Sequence, residues 1–338
     1  LIVHTGDVFH QSRPSWSAVR CFIQHMRKLE AVGVPIVVIA GNHDTPQLRT
    51  AGTVFSVLEL ALPGVRFVTG YEAATFDLDE LGLNVVAIPH GRLVSGPIVE
   101  SYLQPKRRNI LLTHGLAPTL AESPRHELGE VTLDTDLLST DYDAILLGHF
   151  HKHERVTSNA WYAGATDRIG WNDEDHNPCW SLVRIDGDGS VSVQDQRISC
   201  RQMITLGAYD GEGQTAREVA AGVLEQAKAF ARPDAMVRIE LLNVDRRERR
   251  SAEAIVRRDP ANSYLCLQMY SRADTTALFN EDVRLDDSVR MKGIADLFTE
   301  FCTEQPYDDA FRGRFLTRGQ AALESAIRQS DVAVADLE

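Results

Sequence analysis

Six polar residues follow directly on apolar runs in this chain. They are Asp7 in "GDVFH", Asn42 and His43 in "GNHD", His114 in "LLTHG", and His149 and His151 in "GHFH". A carboxylate, an amide oxygen and several imidazoles together suit Mn2+, Fe2+ or Zn2+. No thiolate takes part, which argues against a soft-metal or iron–sulfur site. One carboxylate among neutral ligands is what a bridged ion pair needs. Two ions about 4 Å apart bind phosphoryl oxygens, generate hydroxide and stabilise a leaving oxygen. Each residue taken alone has a plainer reading. A single His at a strand end is more often a core residue, and "GNHD" also suits a tight turn. The ordered set carries the chemical reading, helped by alternation, which puts His149 and His151 on one face of an extended chain.

The elements that must hold these residues are strands and helices in alternation up to about residue 170. "LIVHTG", "VPIVVIAG", "GLNVVAIPH", "RNILLTHG" and "DYDAILLGHFH" read as strands, the second one apolar enough to be buried on both faces. "RPSWSAVRCFIQHMRKLEAVG" reads as a helix, opened by Pro14 and closed by Gly33, with Val19, Phe22, Ile23, Met26 and Leu29 at helical spacing. "CWSLVRIDGDGSVSVQDQRI" reads as a hairpin turning at "DGDG". In such an α/β arrangement the polar residues gather at the carboxyl ends of the strands, where open sheets place their sites. Beyond residue 200 the pattern becomes a small βαββ module over 201–273. A polar helical tail follows over 274–338, with Ile294, Leu297, Phe298 and Phe301 on one stripe. The stripe fits either packing on its own domain or docking to a partner.

The chain has 338 residues and a formal charge of −13. That balance argues against a general polyanion-binding surface, though not against a local cationic site. Its five cysteines are scattered without C-x-x-C, which reads as a reducing, cytoplasmic setting without a zinc knuckle. No apolar run approaches a membrane span. "PKRRN" and "RRERR" are short basic runs that solubility explains, with a phosphate-backbone contact as the alternative for the second. His153 reads as part of a solvated turn, and His90 as structural or rim. Trp16, Trp161 and Trp171 fit core or rim, and Arg168 with Trp171 is the expected substrate rim.

"GDVFH…GNHD…LLTHG…GHFHKHE" resembles the calcineurin-like metallophosphoesterase superfamily. The Phe-His after Gly-Asp, and "YAGATDRIGWND", narrow the resemblance to DNA double-strand-break repair nucleases of the SbcD type. It implies a layered α/β fold with central mixed β-sheets flanked by helices, a small α/β capping domain and a helical C-terminal tail. The phosphoesterase domain would span 1–200. Carried over by position, Asp7 would bridge two divalent ions, with Mn2+ expected and Fe2+ or Zn2+ as alternatives. Asn42, His114 and His149 would ligate one ion and His151 the other. His43 would steady the developing charge or the leaving group, and His10 would sit beside the phosphate. Asp44 would orient His43 or fix the turn. The implied activity is DNA phosphodiester hydrolysis by metal-activated hydroxide, as exonuclease or endonuclease. The implied partners are DNA, an SMC-like ATPase and a second copy of the chain, met through the helix carrying Phe22 and Met26.

In one respect the sequence departs from that pattern. The family's first motif, Asp-x-His on an earlier strand, has no counterpart before Asp7, and "DLDELGLNVV" cannot replace it because its carboxylates precede a strand. Residue 1 is therefore expected not to be the natural start, and without the motif one ion would lack two ligands. Two other functions stay open at this point. One is a phosphodiesterase or phosphatase for small phosphoesters or phosphoprotein. The other is a non-catalytic binding or scaffold subunit.

Overall fold

The computed structural model describes residues 1–46, 52–98, 101–120, 130–138, 141–259, 263–271, 299, 302–303 and 312–320. The chain divides into two compact units. One comprises 1–206, 224–238 and 258–268, and the other 207–223, 239–257 and 269–338.

Within the first unit, β1 (Ile2–His4), β2 (Ile36–Ile39) and β3 (Val65–Val68) form a parallel sheet in that order. Helix α1 (Trp16–Glu30) joins β1 to β2, and α2 (Phe55–Ala61) precedes β3. The Ser15 hydroxyl caps α1 by accepting the Ala18 N–H at 3.3 Å. Gly33, at φ +76°, lets the chain turn out of the helix toward β2.

The second sheet has six strands. They are β4 (Ala74–Leu78), β5 (Leu83–Ile88), β6 (Arg108–His114), β7 (Ala144–Gly148), β8 (Glu154–Arg155) and β9 (Ala160–Tyr162), in the order β4-β5-β6-β7-β9-β8. Its middle is parallel and its edges antiparallel, so the sheet is mixed. A one-turn helix, α3 (His90–Leu93), follows β5.

The period-2 side-chain alternation of the strands builds three hydrophobic layers. Ile36 and Val38 pack with Val19, Met26, Phe55 and Leu58 against the helices. Val37 and Ile39, on the other face of β2, meet Val85, Ala87, Ile110, Leu112, Ala144 and Leu146 of the second sheet. The opposite face of that sheet, with Val86, Ile88, Leu111, Ile145, Leu147 and Tyr162, closes on Ala117, Leu133 and Leu137. All four residues of β2 are buried, as an apolar run with no polar face requires. This is the layered phosphoesterase architecture, with central sheets flanked by helices.

The expected hairpin is present as β10 (Cys179–Ile185) and β11 (Val191–Arg197), an antiparallel pair whose turn includes Gly189 at φ +90°. Further along lie β12 (Met203–Asp210), α4 (Ala216–Ala227), β13 (Met236–Leu242), α5 (Arg246–Arg258) and β14 (Cys266–Tyr270). The strands form a sheet in the order β12-β13-β14. The βαββ expectation therefore omitted a helix. α5 has only Ala252 and Val256 buried among its thirteen residues, and its opening "RRERR" reads as a basic run, which hid the helix.

Residues 312–320 are helical. The expected stripe of Ile294, Leu297, Phe298 and Phe301 lies outside the described residues. None of the five cysteines is disulfide-bonded, and among the described residues no helix is long and apolar enough to cross a membrane.

Candidate metal centre

The carboxyl ends of β1 and β2 in one sheet and of β6 and β7 in the other converge. One hydrogen bond shows how closely. His114 ends β6, and its Nδ1 lies 2.7 Å from the carbonyl oxygen of Thr5, just after β1. A carbonyl only accepts, so Nδ1 carries a proton, and in the neutral ring Nε2 presents a lone pair. That Nε2 points at two further acceptors, Asn42 Oδ1 at 3.0 Å and Asp7 Oδ2 at 3.2 Å.

His149 repeats the arrangement. Its Nε2 lies 3.0 Å from the Glu130 carboxylate and its Nδ1 lies 3.2 Å from Asn42 Oδ1. Donation to Glu130 again leaves a lone pair facing the amide oxygen. Four acceptors thus face one another with their other edges already satisfied. A cation, or a proton on one of the two imidazoles, offsets their mutual repulsion. Asp7, His114 and His149 each offer an atom within 4.8 Å of the others, a cluster able to hold a metal ion. Ligating histidines whose second nitrogen donates to a carbonyl or carboxylate are a recurring feature of metal sites. The donor set and its supports both fit a divalent ion.

Close backbone approach explains the glycine ahead of two of these ligands. A Cβ on Gly148 would lie 1.9 Å from the Thr5 oxygen, and one on Gly41 would lie 2.1 Å from Asp7 Oδ1. Any larger residue would push apart the segments that carry the ligands. The backbone of Asp7 itself is left-handed at φ 54°, as is that of His149 at φ 101°. These are sparsely populated conformations for residues with a side chain, and here they sit at the ligands.

The remaining carboxylates order the loops. Asp7 Oδ1 accepts the His43 N–H at 3.0 Å. Burial favours the neutral form of Asp7, yet the hydrogen bond and charge of His114, with His43 behind them, outweigh it and hold the carboxyl down at about 2. Asp44 is buried and accepts the N–H groups of Val8, Phe9 and Gly41 at 3.0, 3.1 and 3.1 Å, tying the turn after β2 to the loop after β1. Burial and the nearby Asp7 charge nevertheless push Asp44 up to about 6. His43 Nδ1 lies 2.8 Å from the His10 carbonyl, and the two rings stack with centroids 5.3 Å apart.

His151 stands apart from the Asn42 hydrogen bonds. Its Nδ1 lies 3.0 and 3.1 Å from the two oxygens of Asp173, which leaves Nε2 to face elsewhere. Burial would raise the Asp173 carboxyl, but His151 and the Ile169 N–H hold it down at about 2.

The structure does not direct Arg168 and Trp171 to the ligand cluster. Arg168 donates to the carbonyls of His176 and Arg201 at 3.0 and 2.9 Å. Trp171 donates to Gln268 at 2.8 Å and lies under the Arg238 guanidinium, 4.7 Å from its ring centroid. His153 Nδ1 is 3.2 Å from the Ser181 hydroxyl, and His90 is buried, its backbone N–H donated to the Ala40 carbonyl at 3.0 Å.

Sequence reasoning missed Thr5, Glu130 and Asp173. Thr5 acts through its backbone, which no residue type reveals. Glu130 is one of several acids in the polar run "AESPRHELGE", with nothing in its residue type to single it out. Asp173 lies in the quoted "GWND" segment, and a carboxylate there, after a histidine pair in need of a partner, was the available signal.

A family profile described as calcineurin-like phosphoesterase matches residues 1–153. The chain is 24% identical over 219 residues to the DNA double-strand break repair protein Mre11 of Methanococcus maripaludis, covering 60% of this chain and 57% of that protein. It is 29% identical over 167 residues to the Mre11 protein of Saccharolobus solfataricus, covering 47% and 40%. It is 26% identical over 247 residues to that of Haloferax volcanii, covering 71% and 51%. The matches thus span only about two fifths to under three fifths of these relatives' own length. The match and the ligand cluster together support a metal-dependent phosphoesterase. Over residues 1–153 the chain resembles the calcineurin-like phosphoesterases, in keeping with its similarity to Mre11 proteins and the SbcD-type likeness of its motifs.

Proposed function

We propose that this protein is a metal-dependent DNA phosphodiesterase of double-strand-break repair. The observation that carries the reading is the set of acceptors, Asp7, Asn42, His114 and His149, converging on one point at the strand ends. Divalent ions held there would supply the Lewis acidity that polarises a phosphodiester and lowers the pKa of water. Two ions are the proposed complement, with Mn2+ first and Fe2+ or Zn2+ as alternatives, and His151 assigned to the second.

The chain's own residues have separable tasks in this reading. Thr5 and Glu130 fix the tautomers of His114 and His149, and Asp173 does so for His151. His43, its Nδ1 proton committed to His10, would turn Nε2 toward the scissile phosphate to stabilise charge or protonate the leaving oxygen. His10 would stack against His43 beside the phosphate. Asp44 holds the loop. Arg168 and Trp171 stay a proposed substrate rim.

The proposed organisation is a phosphoesterase domain over 1–200, a cap over 201–273 and a partner-binding tail over 274–338. The similarity to DNA double-strand break repair proteins suggests the repair setting. In it we place an SMC-like ATPase partner, a homodimer and a cytoplasmic location. Removing residues 285–338 should abolish co-purification with that ATPase while leaving metal-dependent cleavage of single strands intact. Undiminished co-purification would remove the docking role of the tail.

Parallel assays with Mn2+ on plasmid, duplex and single-stranded oligonucleotides and cyclic nucleotides test the substrate. Cleavage of DNA is expected. Strong turnover of small diesters with no DNA cleavage would overturn the reading in favour of a small-molecule phosphodiesterase, since the ligand set serves both.

A further inference from the structure

α5 is the most basic element of an otherwise acidic chain. Six of its thirteen residues are arginine, none is lysine, and its two acidic residues are Glu248 and Glu253. Both glutamates have partners within the protein. Glu248 accepts the Ala216 N–H at 2.6 Å, and Glu253 lies 3.6 Å from Arg249. Arg246, Arg247, Arg250, Arg257 and Arg258 are all exposed, and none of the five forms an ion pair among the described residues. At about 100° per residue these five fall within an arc of about 120°, on the side away from the buried Ala252 and Val256. Within that arc lies exposed Ala254, with Ser251 flanking one edge and Glu253, held by Arg249, the other.

We propose that this arginine face of α5 is a docking surface for the phosphate backbone of nucleic acid. The inference rests on the DNA phosphodiesterase reading above and adds a contact separate from the ligand cluster. Three features select the partner. A helix of this length runs about 20 Å, and a DNA strand offers a phosphate about every 3.4 Å of rise, so several guanidinium groups can engage one strand. The planar arginine fork pairs with phosphate in two hydrogen bonds, which lysine cannot do. The face has no large apolar residue to form the dry centre that a protein interface requires. The chain carries a formal charge of −13. Attraction to a polyanion must therefore be concentrated in such a patch.

The test is duplex binding measured by anisotropy across a salt series. It uses the whole chain with EDTA present, so that cleavage plays no part. Each neutralised phosphate contact contributes roughly 0.9 to the slope of log affinity against log salt. The variant R246Q/R247Q/R250Q/R257Q should therefore bind weakly, with a slope shallower by about 3 to 4. A control with equal charge loss at exposed positions elsewhere, R66Q/K106Q/R184Q/R197Q, should keep a slope near that of the parent protein. Melting curves on both variants check folding, and a variant with the same four arginines changed to lysine should retain part of the slope. Unchanged binding by the α5 glutamine variant, or equal loss in the control, would overturn the proposal. So would preferential binding of a polyglutamate peptide, which would assign the face to an acidic protein. Hydrolysis of bis(p-nitrophenyl) phosphate by the unmodified chain with Mn2+ is measured alongside. Its absence would remove the phosphodiesterase reading without touching the binding result.

Discussion

His43 and His10 face each other as a stacked pair, with their ring planes 21° apart and the Nδ1 of His43 2.8 Å from the backbone oxygen of His10. The carbonyl can only accept, so His43 keeps its proton on Nδ1 and offers Nε2 for proton exchange. This makes His43→Ala the sharpest test of the proposed mechanism. Removing a positioned acid or base lowers rates by about 10²–10⁴-fold. Mn2+-dependent cleavage should fall by that order while bound metal, measured by elemental analysis, is largely retained. Full cleavage by the variant would end the assigned role.

Glu130 meets His149 through one short hydrogen bond of 3.0 Å. Substituting Glu130→Gln leaves the size of the side chain and removes its charge. Loss of such a supporting group costs roughly 10–100-fold in metal affinity. Calorimetric titration with Mn2+ should show a drop of that order, with little change in thermal melting of the metal-free protein. A change in melting alone would mark Glu130 as purely structural.

Gly148 permits the Thr5 carbonyl to approach His114. A methyl group there would lie 1.9 Å from that oxygen and 2.7 Å from His114 Nδ1. Gly148→Ala should therefore cost about 1–3 kcal/mol in urea unfolding, the usual range for forced overpacking. It should also weaken metal binding. A stable variant with unaltered metal affinity would show that the segments can separate without consequence.

His4 has an enclosed Nδ1 at the end of β1. Burial, then the charge of His114, lowers its pKa from 6.5 to about 4, with Asp7 opposing. Between these values the unfolded chain binds the extra proton. The stability of the metal-free protein should thus rise with pH across that window, by up to about 1.4 kcal/mol per unit from this group, and be fullest above it. His4→Gln should flatten the slope between pH 4 and 6.5 in denaturant titrations. An identical slope would mean that other groups govern the acid limb.

Much of the site was legible in the sequence because strand chemistry is local. Apolar runs such as "PIVVIA" and "NILLTH" admit little but buried strands, and a period of two decides their faces without knowledge of the rest of the chain. Once parallel strands are accepted, residues at their carboxyl ends fall on one edge, which is why Asp7, Asn42, His114 and His149 could be grouped. What the sequence could not carry was anything held by backbone or by distant loops. The Thr5 carbonyl that sets the His114 tautomer comes from 109 positions away, and the Glu130 that faces His149 from 19 positions away. The helix α5 was hidden because six arginines in thirteen residues make the segment read as a charged run. Residue types and spacing fixed which atoms could be ligands. The meeting of two sheets decided which of their lone pairs face one another, since tautomer and orientation depend on partners that only tertiary packing brings within hydrogen-bond reach.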